Sequence, residues 1–235
     1  MMNPDIEKLD YDLKLKLLEH ITAFITEDRR ARFSEVLKHR TRHMTIILED
    51  IFQPHNASAV LRSCDCFGVQ DIHIIENRNK YEVNPDVALG SAKWLTLFKY
   101  NKTLSNTASC LQSLRGKGYR IVATTPHKDD FTPATLPIDK PFALLFGTEL
   151  QGLSEEALNM ADEFIRIPMF GFTESLNISV SAAILLHSLT LRLRYSEVPW
   201  ALNPQEQTDI LIRWAAATVS RSNVILSDFL KKNPS

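Results

Sequence analysis

Between residues 45 and 170 the chain alternates short apolar runs, TIILED, DIHIIE, WLTLFKY, YRIVATT, FALLFG and FIRIPM, with helical or loop segments. That alternation predicts a parallel α/β sheet. Residues 56–67 and 104–116 read as helices between strands, and 177–195 as a long helix after the last one.

The ends read differently. Ile6, Leu9, Leu13, Leu17, Ile21, Phe24 and Ile25 recur at three-to-four spacing, which predicts an amphipathic helix over 5–26, with a second over 28–40. Pro199 and Pro204 break the chain after the sheet region; Ile210, Leu211, Trp214 and Thr218 then mark another helix, followed by a short one ending near Leu230. The expected organisation is a helical extension at 1–44, an α/β domain at 45–196 and a second extension at 197–235. Each extension is too small to fold alone and should dock onto the core or a partner.

Composition excludes several classes. With 44% hydrophobic and 23% charged residues and a formal net charge of -1, the chain is neither disordered nor collagen-like. No apolar run reaches the ~18 to 20 residues of a membrane span. The acidic start MMNPDIEKLDYDLK is unlike a signal peptide, so a cytoplasmic location is expected. Cys64, Cys66 and Cys110 offer no second half to the C-x-C pair; they read as buried thiols, with no metal site expected. Near-neutrality hides one asymmetry: Arg29, Arg30, Arg32, Lys38, Arg40 and Arg42 face only Glu35 between residues 29 and 43. Such a run suits phosphates or forms a solvated helix face.

The common nucleotide and hydrolase signatures are missing: no G-x-G-x-x-G follows a strand, and there is no P-loop, G-x-S-x-G or H-E-x-x-H. Instead, three polar segments punctuated by glycine follow predicted strands, where open α/β sheets bind ligands. The first, PHNASAVLRSCDCFG, puts Val60, Leu61, Cys64 and Phe67 on an apolar helix face, with Arg62 on nearly the opposite side and Asn56 as an N-cap. The second, FGTELQGLS, brackets Glu149 between two glycines directly after an apolar strand. In the third, IRIPMFGFTESLNISVSAA, Ser175, Leu176 and Asn177 stand at a helix start, whose backbone N–H groups suit a polar ligand.

Taken in order, N-x-S-A-x-x-R, G-x-E-x-x-G-L-S and I-P-M-x-G-x-x-x-S-L-N-I-S resemble the three motifs of the SpoU branch of the SPOUT methyltransferases. The resemblance covers residues 28–195. RRARFSEVLKHR, QPHNASAVLRSCDCFGV and GSAKW are similar to the TrmH group within that branch, which methylates the ribose 2′-hydroxyl of guanosine 18 in the tRNA D-loop.

The resemblance implies a trefoil-knotted α/β fold, S-adenosylmethionine as methyl donor, tRNA as substrate, and a homodimer with the active site at its interface. It carries functional positions onto Asn56, Arg62, Glu149, Ser175 and Asn177, cofactor contacts onto Thr124, Gly147, Ile167, Met169 and Leu176, and tRNA contacts onto Arg29, Arg32, Arg40, His55 and Lys93. Glu174 departs from the glutamine common in the TrmH group. The family's proposals make Arg62 the general base, yet a guanidinium holds its proton to pH ~12. The expectation is instead that Arg62 gathers the target phosphate and orients the hydroxyl while Asn56 holds the arginine. Glu149 and Asn177 would order the loops, and Ser175 would support the RNA or the cofactor loop. Alternatives are methylation of the tRNA wobble position or of 23S ribosomal RNA, and a catalytically silent RNA-binding dimer.

Overall fold

The apolar runs become strands because a parallel sheet needs cover on both faces: every residue of Met44–Glu49, Asp71–Ile75 and Phe142–Phe146 is buried. The computed structural model describes residues 8–81, 90–103, 105–128, 130–149 and 151–233. In chain order these form α1 (Tyr11–Thr22), α2 (Glu27–Leu37), β1 (Met44–Glu49), α3 (Pro54–Phe67), β2 (Asp71–Ile75), β3 (Thr96–Tyr100) and α4 (Asn106–Gly116). There follow β4 (Arg120–Thr124), β5 (Phe142–Phe146), α5 (Glu155–Met160), β6 (Glu163–Ile165), α6 (Ile178–Arg194), α7 (Pro204–Thr218) and α8 (Ser222–Lys232). The six strands make one sheet, ordered β3-β2-β1-β5-β4-β6. Every pairing in it is parallel, as the alternation required.

Side chains alternate across the sheet. Ile46, Leu48, Ile72, Ile74, Val122, Leu144 and Phe146 meet α3 and α6 through Val60, Leu61, Cys64, Leu185, Leu186 and Leu189. On the other face Ile47, Ile75, Ile121, Ala143 and Leu145 meet α4 and α5 through Cys110, Leu111, Leu114 and Ala157. The helix α3 starts two residues before the expected position, because Pro54 suits a first turn and Gln53 takes the N-cap place. Asn56 therefore lies inside the helix and is not its cap. The run FIRIPM supplies only two strand residues, Phe164 and Ile165, to a strand that starts at Glu163, since Pro168 has no N–H and constrains the residue before it. Cys66 also departs from expectation: it is exposed, whereas Cys64 and Cys110 are buried.

Residues 41–200 form one compact unit, and residues 1–40 with 201–235 form another. In the second, α1 packs on α7, and α8 on both, so the two terminal extensions supply each other's apolar faces. Leu17 and Ile21 of α1 are fully buried, Lys14 pairs with Asp209 at 2.9 Å, and Phe33 meets Trp214 edge-on at 5.5 Å. Helix α1 is shorter than expected, beginning after the N-cap Asp10; residues 1–7 lie outside those described.

One buried base makes the sheet sensitive to acid. His73 on β2 is 2% exposed and stacks on Phe98 at 4.8 Å; burial, and then Lys117, push its pKa down to about 3. Between the ordinary value of 6.5 and about 3 the unfolded chain binds a proton that the native chain refuses. Stability is thus present above pH 6.5 and is lost as pH falls below it, by about 1.4 kcal/mol per unit. We expect urea unfolding to show His73→Phe losing about 2 kcal/mol less than the unsubstituted protein between pH 7 and pH 5.

Candidate active site

Motif residues far apart in sequence meet at the C-terminal rim of the sheet. Asn56, 4% exposed, donates from Nδ2 to Oε1 of Glu149 at 2.5 Å and to Oε1 of Gln53 at 3.1 Å. Its Oδ1 accepts from Nδ2 of Asn177 at 3.2 Å. The other end of the Asn177 amide caps α6, accepting from the Ser179 N–H at 2.8 Å and the Ser179 hydroxyl at 2.6 Å. The cap fixes which way that amide faces, which in turn aims the Asn56 amide at the carboxylate. A buried amide deprived of such partners would cost ~1 to 3 kcal/mol.

Glu149 links this node to a cavity of about 390 Å³, within the usual range for small-molecule sites. Thr124, Gly147, Ile167, Met169 and Leu176 all line it, as do Glu149, Glu174 and Ser175. Apolar walls come from Phe146, Ile165 and Ile178, and hydroxyls from Thr125 and Ser181. Pro126 and His127 also line the cavity. The sequence reading passed over them, although their place directly after β4 was a usable signal.

The loop that forms one wall is closed at its neck. Thr148 and Gly152 exchange both backbone hydrogen bonds, at 2.9 and 3.0 Å, and Gly152 adopts φ +67°. A Cβ on Gly147 would lie 2.2 Å from the carbonyl carbon and oxygen of Gly152 and 2.4 Å from the Leu153 nitrogen. Only glycine fits there.

Arg62 is not part of the node. It is exposed on α3, six residues beyond Asn56 and so about 9 Å along the helix axis. Asn56 spends its hydrogen bonds on Gln53, Glu149 and Asn177, so within one chain it does not hold the arginine. Cys66 is exposed one turn after Arg62.

The residues expected at RNA divide in two. Arg29, Arg32, His55 and Lys93 are exposed, and Lys93 rests 5.0 Å from the Trp94 ring centroid. Arg40 is 1% exposed, its guanidinium 5.3 Å from the centroid of Trp214. As folded, it cannot reach a phosphate; its stem and planar head complete the packing of the helical unit. Among the described residues no group of His, Cys, Asp and Glu could hold a metal ion, and no helix is long and apolar enough to cross a membrane.

Comparison with known proteins gives a consistent picture. The model of the SpoU rRNA Methylase family matches residues 43–187. The chain is 42% identical over 211 residues to a tRNA (guanosine(18)-2′-O)-methyltransferase of Borreliella burgdorferi, covering 90% of this chain and 95% of that protein. It is 38% identical over 161 residues to the Thermus thermophilus protein of the same description, covering 68% and 81%. Among solved structures, the A. aeolicus TrmH/SpoU tRNA modifying enzyme superposes with a TM-score of 0.73 at 31% identity, over 83% of this chain and 98% of that one.

Proposed function

Because the chain belongs to the SpoU rRNA Methylase family, we propose that it is a tRNA (guanosine-18-2′-O)-methyltransferase using S-adenosylmethionine. The observation that carries this reading is the Asn56–Glu149–Asn177 node, which joins all three motifs at the mouth of the cavity.

The cavity fits the methyl donor in size and lining. Thr124, Gly147, Ile167, Met169 and Leu176 would hold it, with apolar side chains against the purine and hydroxyls and loop backbone toward its polar atoms. When bound, it supplies a methyl group activated by a sulfonium. The chain's own residues then have to bring up a ribose oxygen in line and provide for its proton. A guanidinium does not accept that proton. Arg62 instead would hold a phosphate of the target nucleotide through its planar fork, so that a phosphate oxygen could receive the proton while the methyl leaves sulfur for the ribose oxygen. Asn56, Glu149 and Asn177 keep the loops in register, and Ser175 supports the loop at the cavity mouth.

A second copy of the chain completes the site. Val180, Ile184 and Leu191 of α6 and its C-cap residue Tyr195 are 36 to 85% exposed and fall on one stripe, the kind of surface that a twofold partner covers. Arg62, stranded from its own node, serves the node of the partner. Acting on tRNA places the enzyme in the cytoplasm. The domain roles follow: residues 1–44 and 197–235 guide the RNA and residues 45–196 carry out methyl transfer.

Affinity for tRNA should rest on phosphate contacts from Arg29, Arg32, His55 and Lys93. The Arg29→Ala, Arg32→Ala double variant is expected to lower tRNA affinity and to reduce the slope of log K against log salt by roughly 1 to 2, with methyl-donor affinity unchanged. Arg40→Ala should instead lower the melting temperature, because it uncovers Trp214. Filter binding across a salt series and thermal scans separate the two. The function itself is tested by incubating unmodified tRNA with labelled methyl donor and mapping the product. Ribose methylation at guanosine 18 is expected, and methylation elsewhere or not at all overturns the assignment.

A further inference from the structure

Along its described residues, the wall loop has open space on both sides. Thr148, Gln151, Gly152 and Leu153 line the cavity of about 390 Å³ and also a second one of about 500 Å³, bounded further by Glu49, Asp50, Asn77, Arg78 and Ser154. Leu153 packs against the buried core, but the cavity-lining residues before it are not fixed by packing on either side. Something else must hold it in place.

Glu49 meets that need. It ends β1, one of the two central strands, and is 2% exposed. Oε2 accepts from the Ser154 N–H at 2.9 Å, and Oε1 from the Ser154 hydroxyl at 2.8 Å and the Thr107 hydroxyl at 2.6 Å. Thr107 accepts in turn from Nδ2 of Asn77 at 2.9 Å, and Ser154 caps α5 by accepting from the Ala157 N–H at 3.1 Å. One carboxylate thus ties the sheet to the start of α4, the start of α5 and the far end of the wall loop.

The tether acts on the cavity because the loop behaves as a unit. Ser154 lies two residues after Gly152, which is clamped to Thr148 by two hydrogen bonds and lies against Gly147. A shift at Ser154 passes to the cavity wall and to Glu149 instead of being absorbed. Both Glu49 oxygens act as acceptors, which an amide cannot reproduce because one of its two termini is a donor.

We infer that Glu49 is a positioning residue for the methyl donor, holding the wall loop against the sheet without touching the ligand. This rests on the cofactor assignment made above. In Glu49→Gln the amide oxygen can still serve the Ser154 N–H, but the two hydroxyls lose their acceptor. The dissociation constant for S-adenosylmethionine, measured by calorimetry well below the melting temperature, should rise about tenfold, the scale of one hydrogen bond to a charged group. Turnover at saturating methyl donor should stay within about threefold, so the defect falls on KM. The Glu49→Gln, Ser154→Ala double variant should bind no more weakly than Glu49→Gln alone, because both changes cut the same tether.

Val69→Ala, at the opposite rim of the sheet, supplies a variant of lowered stability for comparison. Its affinity for the methyl donor should match that of the unsubstituted protein. If Glu49→Gln binds as tightly as the unsubstituted protein, or if Val69→Ala loses affinity to the same extent, the inference is overturned while the cofactor assignment stands. If the unsubstituted protein itself fails to bind S-adenosylmethionine, the cofactor assignment falls first and takes the inference with it.

Discussion

Arg62→Lys is expected to lower methyl transfer by about a hundredfold or more while leaving the affinity for S-adenosylmethionine within about twofold. Lysine keeps the charge and most of the reach. It loses the planar fork that engages two phosphate oxygens at once and thereby sets the direction of approach of the neighbouring hydroxyl. Because Arg62 contributes nothing to the cavity wall, the loss should fall on turnover and on tRNA binding. Single-turnover methylation with donor in excess, beside calorimetry with donor alone, separates these effects. Near-native turnover would show that orientation by the fork is not what the arginine supplies.

The same residue also tests whether two copies share a site. Arg62→Ala and Asn177→Ala are each expected to be inactive alone. If Arg62 serves the partner's node, unfolding the two together and refolding them should restore roughly a quarter of full activity, since half the dimers carry one intact site of two. Activity that stays at the level of the separate variants would assign each arginine to its own chain.

The second large effect is expected from Gly147→Ala. A methyl group there would stand 2.2 Å from backbone atoms of Gly152, and backbone has no rotamer with which to yield. The wall loop must move, and affinity for the methyl donor should fall by about a hundredfold or more, while the buried strand behind it keeps the fold intact. Gly152→Ala makes an informative contrast. Nothing lies within 4 Å of its added methyl, and only the left-handed backbone, at φ +67°, is strained, a cost of roughly 1 to 2 kcal/mol. Its loss of affinity should be much the smaller. Equal losses would mean that the close approach at Gly147 plays no special part.

Much of this was legible in the sequence because local patterns carried it. Short apolar runs, fully buried in β1, β2 and β5, announced the parallel sheet, and three polar segments after strands marked the rim where the cavity lies. Long-range relations were harder to read. Asn56 looked like a helix cap, since a cap is what a lone asparagine near a helix start ordinarily is; only folding shows that Pro54 starts the helix and that the asparagine turns inward to partners 93 and 121 residues away. Arg40 looked like its basic neighbours. Its burial depends on Trp214, in a helix from the other end of the chain. Glu49 gave no signal at all, being one acid at the end of a strand, because its meaning lies in donors at positions 107 and 154.

The helical unit built from both ends of the chain has a consequence for biosynthesis. Helices α1 and α2 leave the ribosome early, yet α7, on which they pack, follows only after some 160 further residues, a wait of roughly ten to thirty seconds at ordinary elongation rates. Throughout that interval Leu17, Ile21 and Phe33 have no cover of their own kind. A nascent chain stalled before Ala201 would therefore be a natural client for chaperones, and a shortened gene product lacking its last 35 residues would keep that debt permanently.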